Sequence, residues 1–300
     1  MKIGAVSYLN TKPLIDTLAA HLGNEDTLDL DLPSRLASRL SSNDLDIGLI
    51  PVVEFFRGPE SRVKVDELSC VRGIREIREL SDYHILSNAM IGCKGIVRSV
   101  RLFFRTEQNL VRTMAVDEGS KTSIALSKVL LAEIYGIQPD TIPLPMTCDP
   151  DQIDADAVLV IGDRAMHPSR YKSFTSDWDL GQKWFDHTGL PFVFAMWVGR
   201  ADCSTECNTD CNTADWRYRF ETARDEGVAK LSELCDRYAS IYQLTHADCM
   251  EYLGSNLRFK MTREDLLGLK TFHAKAVRWG LVAKELEPVW PDIEEVAVAS

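Results

Sequence analysis

The stretch Lys2-Ile3-Gly4-Ala5-Val6-Ser7-Tyr8-Leu9-Asn10-Thr11-Lys12-Pro13-Leu14 decides the fold. Its start is apolar enough for a buried strand over 2–8. The polar run that follows, with Pro13 near the first helical turn, reads as a strand-to-helix junction. Leu14, Leu18 and Leu22 recur every fourth position, which predicts one face of a helix that stops at Gly23. The alternation then repeats, with a strand over 28–32, a helix over 34–42 that turns Leu36 and Leu40 inward, and a strand over 46–53. Two successive βαβ units predict a mostly parallel sheet with right-handed crossovers.

Working outward, residues 59–82 interrupt this rhythm with charges crowded around Val65, Leu68 and Val71, the pattern of an amphipathic surface insertion. Strands are expected again over 84–92 and 99–105. A second alternation follows, with strand 113–117, helix 121–135, and strands 141–146 and 157–161. After Gly189-Leu190-Pro191 the run 192–198 is almost wholly apolar and strand-like. Beyond residue 214 everything reads as helix. Trp216, Phe220, Leu231, Leu234 and Tyr238 share the face of one long helix, and Leu266, Leu269, Phe272 and Ala276 that of another, closed by Gly280. Two α/β blocks and a helical C-terminal tail predict two lobes, residues 1–98 plus 196–300 and residues 99–195, with a ligand cleft between them.

Composition narrows the function classes. The chain has 300 residues, 45% of them hydrophobic, which excludes a disordered, collagen-like or small disulfide-stapled protein. A net charge of −11 disfavours nucleic acid and anionic membrane surfaces, which are bound by clustered Lys and Arg. A local patch still leaves room for a small anion. With no apolar run of membrane-spanning length and a strand beginning at Lys2, we expect no secretory signal and a cytoplasmic chain with reduced thiols. Cys203, Cys207 and Cys211 lack a fourth ligand nearby to close a zinc tetrahedron, and read as a polar loop.

Four strand ends carry polar clusters, where parallel α/β sheets place their ligands. In the first, Ser7 to Pro13, Asn10 or Thr11 either caps a helix or faces a ligand. In the second, Gly92 and Gly95 to Ser99 form either a plain turn or a close backbone approach to a ligand. The third, Asp117-Glu118-Gly119-Ser120-Lys121-Thr122-Ser123, sets N–H groups, hydroxyls and a cation at a helix start, which suits a carboxylate or phosphate; Ser120 as an ordinary N-cap is the alternative. It lacks the spacing of a nucleotide P-loop. In the fourth, Gly162-Asp163-Arg164-Ala165, Asp163 orients a cation or, the favoured reading, sits in a local salt bridge.

Together these segments resemble the chorismate dehydratases of the futalosine route to menaquinone. The resemblance rests on Val6-Ser7-Tyr8-Leu9-Asn10-Thr11-Lys12-Pro13-Leu14, Asp46-Ile47-Gly48-Leu49-Ile50-Pro51-Val52-Val53-Glu54, the Gly95–Ser99 loop, Ser120-Lys121-Thr122-Ser123, Gly162-Asp163-Arg164-Ala165 and the stretch from Asp179 to Trp197. It covers 1–58 and 84–200 well, while the 59–82 insertion and the Cys-rich 202–213 stretch stand outside it. The resemblance implies a type II periplasmic-binding-protein-like fold. It also implies loss of water from chorismate to give 3-[(1-carboxyvinyl)oxy]benzoate, an elimination driven by aromatisation that needs no cofactor or metal.

The substrate is a dianion, so Lys12, Ser120, Lys121, Thr122 and Ser123 become candidates to hold its carboxylates. None of the six histidines falls in a cluster, so no obvious base is offered. The substrate's own enolpyruvyl carboxylate is then the proton acceptor, with Asn10 and Ser99 as the catalytic hydrogen-bonding groups. Ser7, Tyr8, Thr11, Gly95 and Asp163 complete the expected binding set. Two rivals share the fold: a solute-binding protein that returns a small carboxylate unchanged, and the sister enzyme that forms 1,4-dihydroxy-6-naphthoate.

Overall fold

In the computed structural model the described residues are 1–58, 79–117, 119–145, 147–200, 213–284 and 286–291. Most of the 59–82 insertion, and Cys203, Cys207 and Cys211, lie outside them. Two mixed sheets organise the chain. The larger has the order β11-β4-β10-β3-β1-β2, with β12 also paired to β4. It comprises β1 (Lys2–Val6), β2 (Thr27–Asp31), β3 (Ile47–Pro51), β4 (Glu79–Cys93), β10 (Phe192–Arg200), β11 (Leu257–Lys260) and β12 (Leu286–Val289). The smaller, of order β7-β6-β8-β5-β9, is built from β5 (Val100–Phe104), β6 (Thr113–Val116), β7 (Asp140–Pro143), β8 (Ala157–Ile161) and β9 (Ser176–Asp179).

The mostly parallel sheet is corrected. β1 runs parallel to β2 and β3, but β10 is antiparallel to both β3 and β4. In the small sheet β6 is parallel to β7 and β8, while β5 is antiparallel to β8 and β9. The reason is connectivity. A chain that leaves the first lobe and returns brings its returning strand, β10, into the sheet from the opposite end.

Helix α2 (Pro33–Ser41) follows the predicted face, with Leu36 and Leu40 fully buried, and α3 (Val52–Arg57) starts directly at the end of β3. The helix expected over 14–22 is instead a short α1 (Lys12–Ile15) and a separate turn over Leu18–His21. Leu14 and Leu18 are buried as the spacing required, but the segment is shaped by tertiary contact. The Thr17 hydroxyl donates to the Ala223 carbonyl at 3.3 Å in the C-terminal helix packed over it.

The C-terminal region also departs from expectation. In place of one long helix come α6 (Thr213–Ala229) and α7 (Leu231–Tyr238), followed by α8 (His246–Glu251) and, after β11, α9 (Arg263–Arg278). β11 hides a period of two inside helical neighbours: Leu257 and Phe259 are buried and Lys260 is exposed where the strand pairs with β4. Among the described residues no helix is long and apolar enough to cross a membrane.

The two lobes share one core. Leu102 and Phe104 of β5 and Met114 and Val116 of β6 join the same apolar cluster as Ile3, Leu49 and Trp197 of the large sheet. Phe103, Ala115, Val158 and Val160 alternate to the outer face of the small sheet, where they form a second, smaller cluster. Helices α4 (Lys121–Tyr135) and α5 (Leu180–Thr188) cover the shared face. Glu133 of α4 meets Lys275 of α9, Trp279 just after that helix, and His187 of α5. Burial alone would raise its pKa, but those donors hold the Glu133 carboxyl down at about 2.

The chain leaves the large sheet after Cys93 and reaches β5 through residues 94–99. Asp179 fixes this crossover from the N-cap of α5. Its Oδ1 accepts from the N–H groups of Val97 at 3.0 Å and Gln182 at 3.1 Å, and its Oδ2 from that of Arg98 at 2.7 Å. Gly95 takes φ +98°, which a side chain would strain. A Cβ on Gly181 would lie 2.6 Å from the Gly95 carbonyl oxygen. Asp179→Ala removes a helix cap and two loop bonds together and should cost about 2–3 kcal/mol. Urea unfolding should show a lower midpoint, with Asp179→Asn retaining part of the difference; an unchanged midpoint in the alanine variant would refute the anchoring role.

Candidate functional site

A cleft of about 660 Å³, counted to its open mouth, lies between the lobes. The first lobe contributes Tyr8 and Asn10 after β1, Pro51 at the end of β3, and Phe194 and Ala195 of β10. The second contributes Val97 and Ser99 of the crossover, Gly119, Ser120, Thr122 and Ser123 at the start of α4, and Ile161 and Gly162 after β8. Apolar side chains of Val6, Ile91, Val97, Val100, Phe194 and Leu257 make up much of the wall. The result is a largely apolar cleft with hydroxyls and an amide among its lining groups.

Six expected residues meet here: Tyr8, Asn10, Ser99, Ser120, Thr122 and Ser123. The capping alternative for Asn10 is not what the chain does, since the positions preceding the first turn and α1 are Tyr8 and Thr11, and neither caps with its side chain. Ser120 stands at the N-cap of α4 without capping it, and its hydroxyl donates to Ser123 Oγ at 2.6 Å instead. The first-turn N–H groups of α4 have no partner within their own helix, and Thr122 and Ser123, which carry two of them, line the cleft. Ser99 is 3% exposed, and its carbonyl accepts from Gly162 N–H at 2.8 Å, which joins the second and fourth clusters.

The other six expected residues stand off the cleft wall. Ser7 is exposed, and its carbonyl accepts from the Tyr242 hydroxyl. Thr11 is fully buried and donates to Asn10 Oδ1 at 3.3 Å. Gly95 serves the turn described above. Lys12 lies off this lining, its ammonium 5.0 Å from the Tyr238 ring centroid. Lys121 stands off it too. Side chains at a helix start point outward from the axis in different directions, and that of Lys121 turns to the buried Glu54, 3.3 Å away, which Arg57 also pairs. No lysine, arginine, histidine, aspartate or glutamate among the described residues lines the cleft.

Asp163 follows the cleft-lining Gly162 and makes no ion pair among the described residues, contrary to the salt bridge favoured from sequence. Burial pushes its carboxyl up to about 6. Its charge is felt by Tyr8, whose phenol is pushed up to about 12 by burial first and then by Asp117 and Asp163. Sequence reasoning missed the apolar wall, because its members come from six separate strands and loops. It also missed Tyr252, a buried phenol just after α8 whose pKa burial pushes well up. No motif around Tyr252 carries that signal. Among the described residues no group of three or more His, Cys, Asp or Glu is placed to hold a metal ion.

Two mixed α/β lobes around an interlobe cleft give the chain a periplasmic-binding-protein-like fold. Solved structures share this architecture. A protein of Archaeoglobus fulgidus aligns with TM-score 0.64 at 15% identity, over 94% of this chain and 98% of its own. The periplasmic aliphatic sulphonate binding protein of Escherichia coli aligns with TM-score 0.61 at 12% identity, over 95% and 94%. A Candida albicans protein described as having the generic periplasmic binding protein fold aligns with TM-score 0.60 at 11% identity, over 99% and 98%. The chain belongs to the menaquinone biosynthesis family, whose model matches residues 74–278. It is 28% identical over 226 residues to the chorismate dehydratase of Thermus thermophilus, covering 68% of this chain and 78% of that protein.

The Asp163 shift carries a pH signature. A carboxyl raised on folding favours the folded state while protonated, and that contribution fades as pH rises from its ordinary 3.8 through about 6. Asp163→Asn should therefore melt a few degrees above the parent protein at pH 8, with the gap closing below pH 4. Parallel melting curves at every pH would show that the carboxylate keeps its solvation.

Proposed function

We propose that the chain is a chorismate dehydratase, a carbon–oxygen lyase that eliminates water from chorismate to give 3-[(1-carboxyvinyl)oxy]benzoate without a cofactor. The observation that carries the reading is the joining of Asn10 and Ser99, from opposite lobes, on one apolar slot beside the start of α4. The slot suits a flat six-membered ring. The α4 N–H groups with Ser120, Thr122 and Ser123 suit a carboxylate through the partial positive charge of a helix start. The family match and the Thermus thermophilus relative support the same reading. Under it the residues divide as lobes 1–98 plus 196–300 and 99–195, although β10 already enters the large sheet at Phe192.

The elimination breaks the C–H bond at the ether-bearing ring carbon and the neighbouring C–OH bond. The proton passes to the substrate's own enolpyruvyl carboxylate, the electron pair closes the aromatic ring, and hydroxide leaves as water after taking a proton. Asn10 and Ser99 stay neutral and donate hydrogen bonds to the ring carboxylate or the departing hydroxyl, where charge builds up. A Tyr8 phenol pushed up to about 12 keeps its proton at neutral pH and acts as a further donor.

Incubation of the purified protein with chorismate should replace the diene ultraviolet spectrum with that of a substituted benzene. Chorismate bound but returned unchanged would favour a solute-binding protein. Inertness to chorismate with turnover of a cyclic futalosine derivative would favour the sister enzyme.

Asn10→Ala and Ser99→Ala should fold with near-parental melting temperature and lose at least about tenfold in kcat, since one donor to developing charge is commonly worth about 10²–10³. A destabilised Asn10→Ala protein with normal kcat would remove that residue from the chemistry.

A further inference from the structure

Helix α4 presents two different faces at its start. Ser120, Thr122 and Ser123 line the cleft. Lys121, Ile124, Ala125 and Lys128, spaced i, i+3, i+4 and i+7, fall together on the opposite side of the helix. There they wall a second recess, which Arg57 at the end of α3 and Leu281 beyond α9 complete among the described residues. Its volume is about 310 Å³, room for a small organic molecule.

Charge sets this recess apart from the cleft. In a chain of net charge −11 it gathers three cations, and no aspartate or glutamate among the described residues lines it. The carboxylate at hand is the buried Glu54, outside the lining. It accepts from Arg57 Nη1 at 3.2 Å and stands 3.3 Å from Lys121 Nζ. One carboxylate shared by two cations leaves each of them with unused N–H donors. Lys128 is half-buried and makes no ion pair among the described residues. Three cations against one carboxylate leave an excess of two positive charges. Half-buried charge is poorly screened, so an anion entering here gains more than it would at an open surface. Ile124, Ala125 and Leu281 add apolar surface beside the cations.

We infer that this recess is a second binding site, for a small organic phosphate monoester. Its dianionic head matches the excess of two charges. The Arg57 fork suits a phosphate's paired oxygens, with Lys121 and Lys128 as further donors. The organic body rests on Ile124, Ala125 and Leu281. The site stands apart from the cleft and from the reaction assigned to it.

Phenyl phosphate is the probe, titrated into the purified protein by calorimetry. One equivalent should bind in the millimolar range or tighter, and more weakly as sodium chloride is raised. Lys128→Glu should lower the affinity at least about tenfold, the worth of one charge-assisted contact. Because Lys128 has no ion pair to lose, the variant should melt near the parental temperature. Lys128→Gln, which removes the charge without reversing it, should lose less. Lys230→Glu makes the same change in net charge at an exposed residue between α6 and α7, and should leave the affinity within about twofold. Inorganic phosphate should bind more weakly than phenyl phosphate, for want of the apolar contact.

Absence of binding, or equal losses in Lys128→Glu and Lys230→Glu, would overturn the proposal. Affinity lost in Asn10→Ala but kept in Lys128→Glu would place the anion in the cleft and overturn it too. Inorganic phosphate held as tightly as phenyl phosphate would overturn the organic ligand assigned to the recess. None of these outcomes depends on turnover of chorismate, so the dehydratase reading stands or falls separately.

Discussion

Asp179 accepts three backbone N–H groups from two segments, two on the crossover into the small sheet and one at the start of α5. Everything the cleft offers from the second lobe depends on that crossover keeping its path. Val97 and Ser99 line the slot only because the loop turns sharply at Gly95 and is then clamped before β5 begins. A carboxylate suits the task, since its two oxygens can take bonds from several donors at once, and a helix start welcomes negative charge. Arg98 extends the clamp to α8, so the crossover is gripped from both sides.

The lobes are further tied by a shared apolar core and by the ionic cluster around Glu133. Lys94 pairs with Glu264 across the crossover at 2.8 Å, and Lys121 with Glu54. Of the two lysines that the sequence offered to a ligand, Lys121 is thus paired and Lys12 lies over the Tyr238 ring. Lys121 sits at the right helix start, yet its charge is turned to a buried carboxylate on α3. The cleft is left with neutral donors and the fixed dipole of α4.

That allocation has a chemical logic under the proposed reaction. Substrate and product are both dianions, so a bare cation in the slot would attract them alike and do nothing for the rate. Directional groups such as an amide, a serine hydroxyl and oriented N–H groups discriminate by position instead. They act most strongly where charge moves during bond breaking. The acidic overall charge of the chain is compatible with this, because the recognition is local and mostly built from backbone and neutral side chains.

The α/β alternation, the two-lobe organisation and the Ser7–Pro13 and Ser120–Ser123 clusters are legible in sequence, since each is written in neighbouring residues: a period of two or 3.6, a glycine, a proline, a polar run. Strand direction beyond the first βαβ units is not, because the antiparallel place of β10 follows from where a returning chain can pair. β11 escaped notice for a related reason: four residues with a period of two say little until β4 offers an edge. Side-chain direction is likewise decided only in three dimensions. Lys12 and Lys121 carry the right charge at the right strand ends but find Tyr238 and Glu54 first. By itself the sequence determines which polar segments reach the cleft, and leaves its apolar wall unread. The tertiary structure decides which of their side chains face it, because burial and competing partners settle where each one points.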